Sequence, residues 1–398
     1  MSPSPRRTLP ADAADPLRGE AESILRELTA LPTAAGREAR VVDWVEAWAR
    51  RRRNVELDRD GYGNLLLRRR GVSGESPIVF AAHLDHPAFV VVEGRGREVV
   101  AEFRGGVQEA YFVGTRVRGY RSGPGRESGG QDGDATPPGR IESYTAASEL
   151  PGGGRGDPRV TVRFRRDPGL RVGDILTWDL GATVVRGDRV HAPACDDLAA
   201  VAAMFVAFGR LLSERKSAST PDVRLLYTRA EEVGFIGAMG ACRSGLIPRG
   251  ARIVALENSK SFAESPLGGG PIVRVGDRVS TFDPGLTYRV AEVARQIGEQ
   301  DAGFVWQRKL MAGGACEATA YQTLGYTATC VCLPLGNYHN MDEAAGKIAR
   351  EVISLRDYHG MVTLLVAIGQ RLDQAAGPDA GLRGRLDRLF ETRESLLG

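Results

Sequence analysis

The sequence predicts an α/β fold interrupted by a small all-β domain, and three observations carry that expectation. Amphipathic helical patterns and short apolar strands fill the first part of the chain, up to residue 87. From 87 to about 189 there is no convincing helix, only short Val/Phe/Tyr-rich runs separated by Gly-rich breaks, as in a barrel or sandwich. After Asp196, strand-like runs alternate with helices, which is the pattern of an α/β sheet. The all-β stretch therefore reads as an insertion into a discontinuous α/β domain.

Element by element, residues 1–18 read as a polar, proline-containing tail. Helices are expected over 21–30 and 37–51, where apolar residues recur at helical spacing, and strands over 55–58, 63–67 and 77–82. PAFVVVEG, REVVAEF, YFVGTRVRGY, RVTVRF and DILTWDLGATVV supply the inserted strands. Inside the insertion, 122–138 and 151–158 are rich in Gly, Pro or Ser and read as mobile loops. A strongly apolar helix follows at 198–212, then the strands VRLLYT and ARIVALE, a helix at 288–300, the strand YTATCVCLPL and a closing helix at 348–372. The expected domains are 19–87 and 190–375 for the α/β part and 88–189 for the insertion, with tails at 1–18 and 376–398, the second holding a short helix. No internal repeat is evident.

Composition narrows the function classes. The chain of 398 residues is long enough for more than one domain, and 42% hydrophobic with 26% charged residues is ordinary for a globular protein. A net charge of +3, without a large basic cluster, excludes a nucleic-acid role on charge or motif. The start has no apolar signal-peptide core, and the longest apolar stretch, 198–208, is too short to span a membrane. Five scattered cysteines (Cys195, Cys242, Cys316, Cys330, Cys332) form neither a disulfide framework nor a paired CxxC site, so a reducing cytoplasm is the expected location.

The chemistry concentrates at strand ends. PIVFAA runs into His83-Leu84-Asp85-His86, VRLLYTRA into Glu231-Glu232, RIVAL into Glu257 and CVCLPLGNY into His339, while Asp196-Asp197 opens the apolar helix. Ligands of open α/β sheets bind beyond the carboxyl ends of the strands. Five separate segments thus deliver His, Asp or Glu to one place. Two hard-to-borderline cations want imidazole and carboxylate ligands, one carboxylate able to bridge them, and a further carboxylate to move a water proton. Glu231 and Glu232 can divide base and ligand roles between them, and Asp85 can hold the second nitrogen of His83. Taken singly, each feature has a plainer reading: a Glu-Glu pair at a solvated helix start, Asp196-Asp197 as an N-cap, His339 as a loop histidine.

The motifs AAHLDHPAF, LRVGDILTWD, VHAPACDDLAA, RAEEVGFIGA and PLGNYHN resemble, in order and spacing, those of the tetrahedral and glutamyl aminopeptidases, dinuclear metallopeptidases of the co-catalytic zinc clan. The resemblance spans about 21–372. It implies a mixed-sheet α/β zinc-peptidase catalytic domain with an inserted small β-barrel domain. It implies two divalent ions, zinc or cobalt, one held by His83, Asp196 and Glu257, the other by His339, Asp196 and Glu232. Asp196 would bridge, Asp85 would support, and Glu231 would be the general base. It also implies a cis peptide after Asp196, short peptide substrates and a homo-oligomer assembled through the β insertion, often a dodecamer. Glu257 stands where the family usually has Asp, His86 where it often has Glu, Leu198 where it commonly has Arg, and Cys316-Glu317 where it usually reads Thr-Asp.

The expected activity is therefore release of N-terminal residues from short peptides. A deacylase or carboxypeptidase on the same scaffold is the alternative that Glu257 raises, and a non-catalytic metal-binding assembly protein is the alternative outside enzymes. His86 is expected to pack beside the site, His191 and His359 to lie away from it, and the cysteines to be buried packing residues.

Overall fold

The computed structural model describes residues 16–121, 135–149, 156–217, 220–377 and 379–398. The expected loops at 122–138 and 151–158, and the tail at 1–18, fall largely outside those residues. Two helices, α1 (Pro16–Leu28) and α2 (Ala39–Arg50), lead into β1 (Val55–Arg59), β2 (Leu65–Arg69) and β3 (Ile78–His83). The inserted segment supplies β4 (Ala88–Arg95), β5 (Glu98–Arg104), β6 (Arg116–Tyr120), β7 (Gly139–Thr145), β8 (Arg159–Arg163) and β9 (Ile175–Trp178). A hairpin, β10 (Val184–Arg186) and β11 (Arg189–Ala192), returns the chain to α3 (Leu198–Ser213), β12 (Val223–Thr228), α4 (Ile236–Ser244) and β13 (Arg252–Lys260). Then come β14 (Ile272–Gly276), α5 (Pro284–Gln300), β15 (Gln307–Leu310), α6 (Glu317–Thr323) and β16 (Thr327–Leu335). The short strands β17 (Met341–Asp342), β18 (Lys347–Ile348) and β19 (Glu351–Ser354) precede α7 (Leu355–Arg371) and α8 (Gly384–Arg393).

The main sheet has eight strands in the order β1-β2-β12-β3-β13-β16-β14-β15. Its four central strands, β12, β3, β13 and β16, are parallel, while β1, β2 and β14 add antiparallel pairings. Parallel strands covered on both faces read as continuous apolar runs. IVFAAH in β3 does so: Ile78, Phe80 and Ala82 pack with α1, α2, α3, α5 and α7, whereas Val79 and Ala81 pack with α4 and α6. Cys330 and Cys332 share the α4/α6 side, the plain packing role expected of them.

The insertion closes as a six-stranded barrel, β4-β5-β8-β7-β6-β9. Closure leaves no sheet edge, and the interior is filled by Phe89, Phe103, Phe112 and Trp178. Phe89 lies edge-on to Phe103 at 4.9 Å and to Trp178 at 4.8 Å, geometry that aromatic quadrupoles favour. Because β4 starts five residues after His83, the barrel is tethered beside the carboxyl ends of the parallel strands.

Several boundaries differ from the sequence reading, for local reasons. The first helix begins at Pro16, inside the expected tail, since proline fits a first helical turn. α5 begins at Pro284, four residues early, because the Asp283 side chain accepts the N–H of Leu286 as an N-cap. The closing helix starts only at Leu355: residues 351–354 instead form β19, paired with β11, and Ser354 caps the helix by accepting the N–H of Asp357. The apolar periodicity of 348–354 fits both states, and tertiary pairing selects the strand. No helix among the described residues is long and apolar enough to cross a membrane.

Candidate active site

The register of the parallel strands places the candidate residues side by side. His83 ends β3 opposite Thr228 of β12, whose extension carries Glu231 and Glu232. Glu257 of β13 lies opposite Cys332 of β16, whose extension carries His339. The peptide bond between Asp196 and Asp197 is cis, and Asp197 stands at the start of α3.

Asp196 occupies the centre. Its Oδ1 lies 3.4 Å from His83 Nε2, and its Oδ2 lies 3.5 Å from His339 Nε2. Glu257 Oε1 and Glu231 Oε2 each lie 3.9 Å from His83 Nε2, and Glu232 Oε2 lies 3.5 Å from His339 Nε2. Ligand-capable atoms gather in three overlapping groups: His83 with Asp196, Asp197 and Glu257; His83 with Glu231 and Glu232; and Asp196 with Glu232 and His339. The expected residues are all buried or nearly so, and the structure brings all of them together.

So many buried carboxylates strain one another electrostatically. Burial raises the pKa of Glu231 well above the usual range, with the His83 imidazole opposing and Glu257, Glu317 and Asp85 adding to the rise. Burial and then Asp196 push Glu257 up to about 8, and burial pushes Glu317 up to about 7. Glu232 rises well above its ordinary value through burial and the charges of Asp196 and Glu231. Asp196 goes the other way: burial works against its charge, but the two imidazoles hold it well below the usual carboxylate range. Buried polar atoms normally have partners, yet Asp196 Oδ1, Asp197 Oδ2 and Glu232 Oε1 have no hydrogen bond. Divalent cations would supply the missing charge and the missing partners, so the donor set fits a metal centre of oxygen and imidazole ligands.

A second layer of hydrogen bonds fixes these groups. His339 Nδ1 donates to the Gly106 carbonyl at 2.6 Å, so the barrel orients a candidate ligand. Asp85 accepts the backbone N–H of Glu231 on Oδ1 and that of Glu232 on Oδ2, both at 3.0 Å. His83 Nδ1 consequently donates to the Asp85 carbonyl at 3.1 Å, while the carboxylate stands off at 3.6 Å. The support expected from the Asp85 side chain thus goes to the Glu-Glu pair, and the backbone of Asp85 serves the histidine. The pair's turn is further held by Glu38, which accepts the N–H of Ala230 at 3.0 Å and the Nε–H of Arg229 at 2.7 Å. The last glycine of EEVGFIG, Gly237, packs so tightly that a Cβ there would lie 2.1 Å from the Arg229 carbonyl oxygen.

His86 links the backbone of Asp196 to the side chain of Asn340. Its Nδ1 lies 2.5 Å from the Asp196 carbonyl oxygen and its Nε2 2.9 Å from Asn340 Oδ1. His191 lies in β11, and His359, on α7, faces Glu22 at 3.8 Å. Cys195 is buried and joins none of the three ligand groups. Sequence reasoning missed Glu351, whose Oε2 accepts the N–H groups of Cys195 (2.7 Å) and Asp196 (3.0 Å) and whose Oε1 accepts that of His339 (2.9 Å). It also missed Asp197 as a ligand-capable group and Asn258, which donates to Asp197 Oδ1 at 2.7 Å. Asp197 lies inside the motif VHAPACDDLAA, where it reads only as part of a helix start; no motif marks Asn258 or Glu351, and a lone Glu before VIS in EVIS is the faint signal that Glu351 left.

Solved structures of similar fold include aminopeptidase APDkam598 from the archaeon Desulfurococcus kamchatkensis, at 24% identity over 91% of this chain and 96% of that one, with a TM-score of 0.69. The Pyrococcus horikoshii TET1 peptidase matches at 18% identity over 88% and 99% of the two chains, with a TM-score of 0.68. The TET aminopeptidase from the marine sediment archaeon Thaumarchaeota archaeon SCGC AB-539-E09 matches at 19% identity over 90% and 100%, with a TM-score of 0.68. Comparison with curated protein sequences gives no significant match. The model of the M42 glutamyl aminopeptidases matches residues 165–364, half of the chain, and includes every candidate site residue except His83 and Asp85. The chain belongs to the M42 glutamyl aminopeptidase family, a family of metal-dependent peptidases.

Proposed function

We propose that this protein removes N-terminal residues from short peptides at a centre of two divalent ions, zinc or cobalt. One observation carries the reading: the two oxygens of Asp196 face two different histidines, at 3.4 and 3.5 Å, each beside its own further carboxylate. His83, Asp196 and Glu257 would hold one ion, and His339, Asp196 and Glu232 the other. When bound, such ions polarise a scissile carbonyl and acidify water. Glu231, whose Oε2 opens onto the same cluster 3.9 Å from His83 Nε2, takes the proton of the attacking water and returns it to the leaving amine. Asp85 keeps Glu231 and Glu232 apart in direction by fixing both backbones.

A pocket beside Glu257 supports a preference for an acidic N-terminal side chain. Its lining includes Ser259, Lys260, Arg274 and Tyr338. Arg274 is buried, donates to Ser259 Oγ at 3.0 Å and has no ion-pair partner among the described residues. Glu257 and the buried thiols Cys316, Cys330 and Cys332 act on its charge from a distance, and Lys260 is taken by Glu343 at 2.7 Å, so an anionic occupant would be the first carboxylate to pair with this guanidinium directly.

The similar TET1 peptidase can assemble into a tetrahedron or a large octahedral shell, which supports homo-oligomerisation here. The absence of a membrane-crossing helix among the described residues and the cysteine usage support a cytoplasmic location.

The reading is tested by mass-spectrometric product analysis on peptides with free and acetylated N-termini, with zinc or cobalt added. Loss of one residue from free N-termini alone is expected. Cleavage confined to acylated peptides, or from the C-terminus, would replace the proposal with a deacylase or carboxypeptidase.

A further inference from the structure

The end of the chain carries an apolar face that the body of the molecule leaves open. Residues 379–397 form a nearly continuous helical segment with α8 at its centre. Leu382, Leu386, Leu389 and Phe390 recur at spacings of four, three and one, which is one stripe of a helix, and Leu396 and Leu397 continue it. Their exposure runs from 41% for Leu382 to 80% for Leu397. No residue of α8 is buried, and none of the apolar clusters includes a residue beyond Ala375. The segment is anchored at its start, where Gly381 lies against the Tyr288 hydroxyl of α5, and Arg385 is close enough to Glu292 to lower its pKa. Leu386, Leu389 and Phe390 remain more than half exposed beside that anchor.

The polar side of the helix names the occupant. Arg383, Arg385 and Arg388 against Asp387 make its first half basic, while Glu391 and Glu394 against Arg393 make its second half acidic. A second copy running antiparallel sets basic half against acidic half on both flanks while the two leucine stripes close on each other. A parallel copy would oppose like charges. A membrane surface wants a uniformly basic polar face around such a stripe, and this face is mixed in sign. Residues 1–15 offer only Met1 and Leu9 as large apolar side chains, too few to cover six.

We propose that α8 is an interaction surface for a second copy of this chain, paired antiparallel about Leu389. The pairing is independent of the peptidase reading, since no residue of α8 belongs to the site.

The test begins with Leu386→Glu/Leu389→Glu in the full metal-loaded chain, compared with the unaltered protein by sedimentation velocity. The association step should require at least tenfold more protein, with an unchanged far-UV circular dichroism melt. Orientation is read from single-cysteine proteins, Leu382→Cys and Leu396→Cys; the five native cysteines are buried. Mixed and oxidised, they should cross-link to each other, because antiparallel pairing puts 382 opposite 396. Cross-linking only of 382 to 382 and 396 to 396 would overturn the antiparallel pairing. Masses unmoved by the double substitution would overturn the interface. Recruitment of the unaltered protein to phosphatidylcholine vesicles containing phosphatidylglycerol, lost in the double variant and without self-association, would overturn it in favour of a lipid surface.

Discussion

Glu351 Oε1 accepts the backbone N–H of His339 at 2.9 Å, across twelve residues of chain. His339 has φ 54°, and its neighbours Asn337 and Asn340 are left-handed too, a conformation that non-glycine residues adopt only when the surroundings impose it. The other oxygen of Glu351 takes the N–H groups of Cys195 and Asp196. One buried carboxylate therefore sets the position of the central aspartate and of a candidate histidine ligand together.

Replacing Glu351 by Ala should leave three buried N–H groups without an acceptor, each worth about 1–3 kcal/mol. The expected result is a loss of several kcal/mol in denaturant unfolding together with reduced metal content by elemental analysis. Glu351→Gln, which keeps one acceptor oxygen, should fall between. A variant of normal stability and metal content would remove the positioning role.

Glu231→Gln should keep metal content near that of the unaltered protein while lowering turnover by about 10²–10⁴-fold, the usual size of a general-base contribution. Stopped assays on an N-terminally free peptide, run beside metal analysis, separate the two effects. Turnover within a few-fold of normal would end the assignment.

Asp196→Asn should act on metal itself. The amide keeps the shape but presents one oxygen where two are needed, so bound metal per chain should drop by half or more and turnover should vanish with it. Retention of two ions per chain would show that Asp196 does not bridge.

Removing metal should make stability depend on pH. Burial and Asp196 push Glu257 up to about 8 from 4.5, so the folded, metal-free chain holds a proton that the unfolded chain has released. A raised carboxylate pKa contributes stability that is present below the unfolded value and is lost as pH climbs through the folded one. The melting temperature of chelated protein should accordingly fall between pH 4.5 and about 8. Restoring metal, which binds the ionised form, should flatten that fall. Equal slopes with and without chelator would contradict the metal assignment.

Arg274→Leu should cost hydrolysis of peptides with N-terminal Glu or Asp more than of those with N-terminal Leu. The ratio of kcat/KM values should shift by about tenfold or more, the usual worth of a charge-assisted hydrogen bond. A parallel loss for all substrates would reduce Arg274 to a packing role.

The chain's own residues determined much of this. Apolar runs long enough for buried strands, each ending in His or Glu, specify parallel strands whose carboxyl ends meet; IVFAAH and the strands leading to Glu231 and Glu257 could be read directly. Likewise the Gly-broken Val/Phe runs specified an all-β insertion, barrel or sandwich, and the tertiary structure closes it as a barrel. Tertiary structure alone decided what lies between segments distant in sequence. Glu351 became a strand residue because β11 offered it a partner, although its local periodicity suits a helix equally. Asp85 turned its carboxylate to the Glu-Glu backbone because two N–H groups, brought in beyond β12, need acceptors there, while the Asp85 carbonyl already satisfies His83. Periodicity reports which face of an element is apolar; it carries no information on which distant polar group will need an acceptor, and that is settled only when the strands assemble.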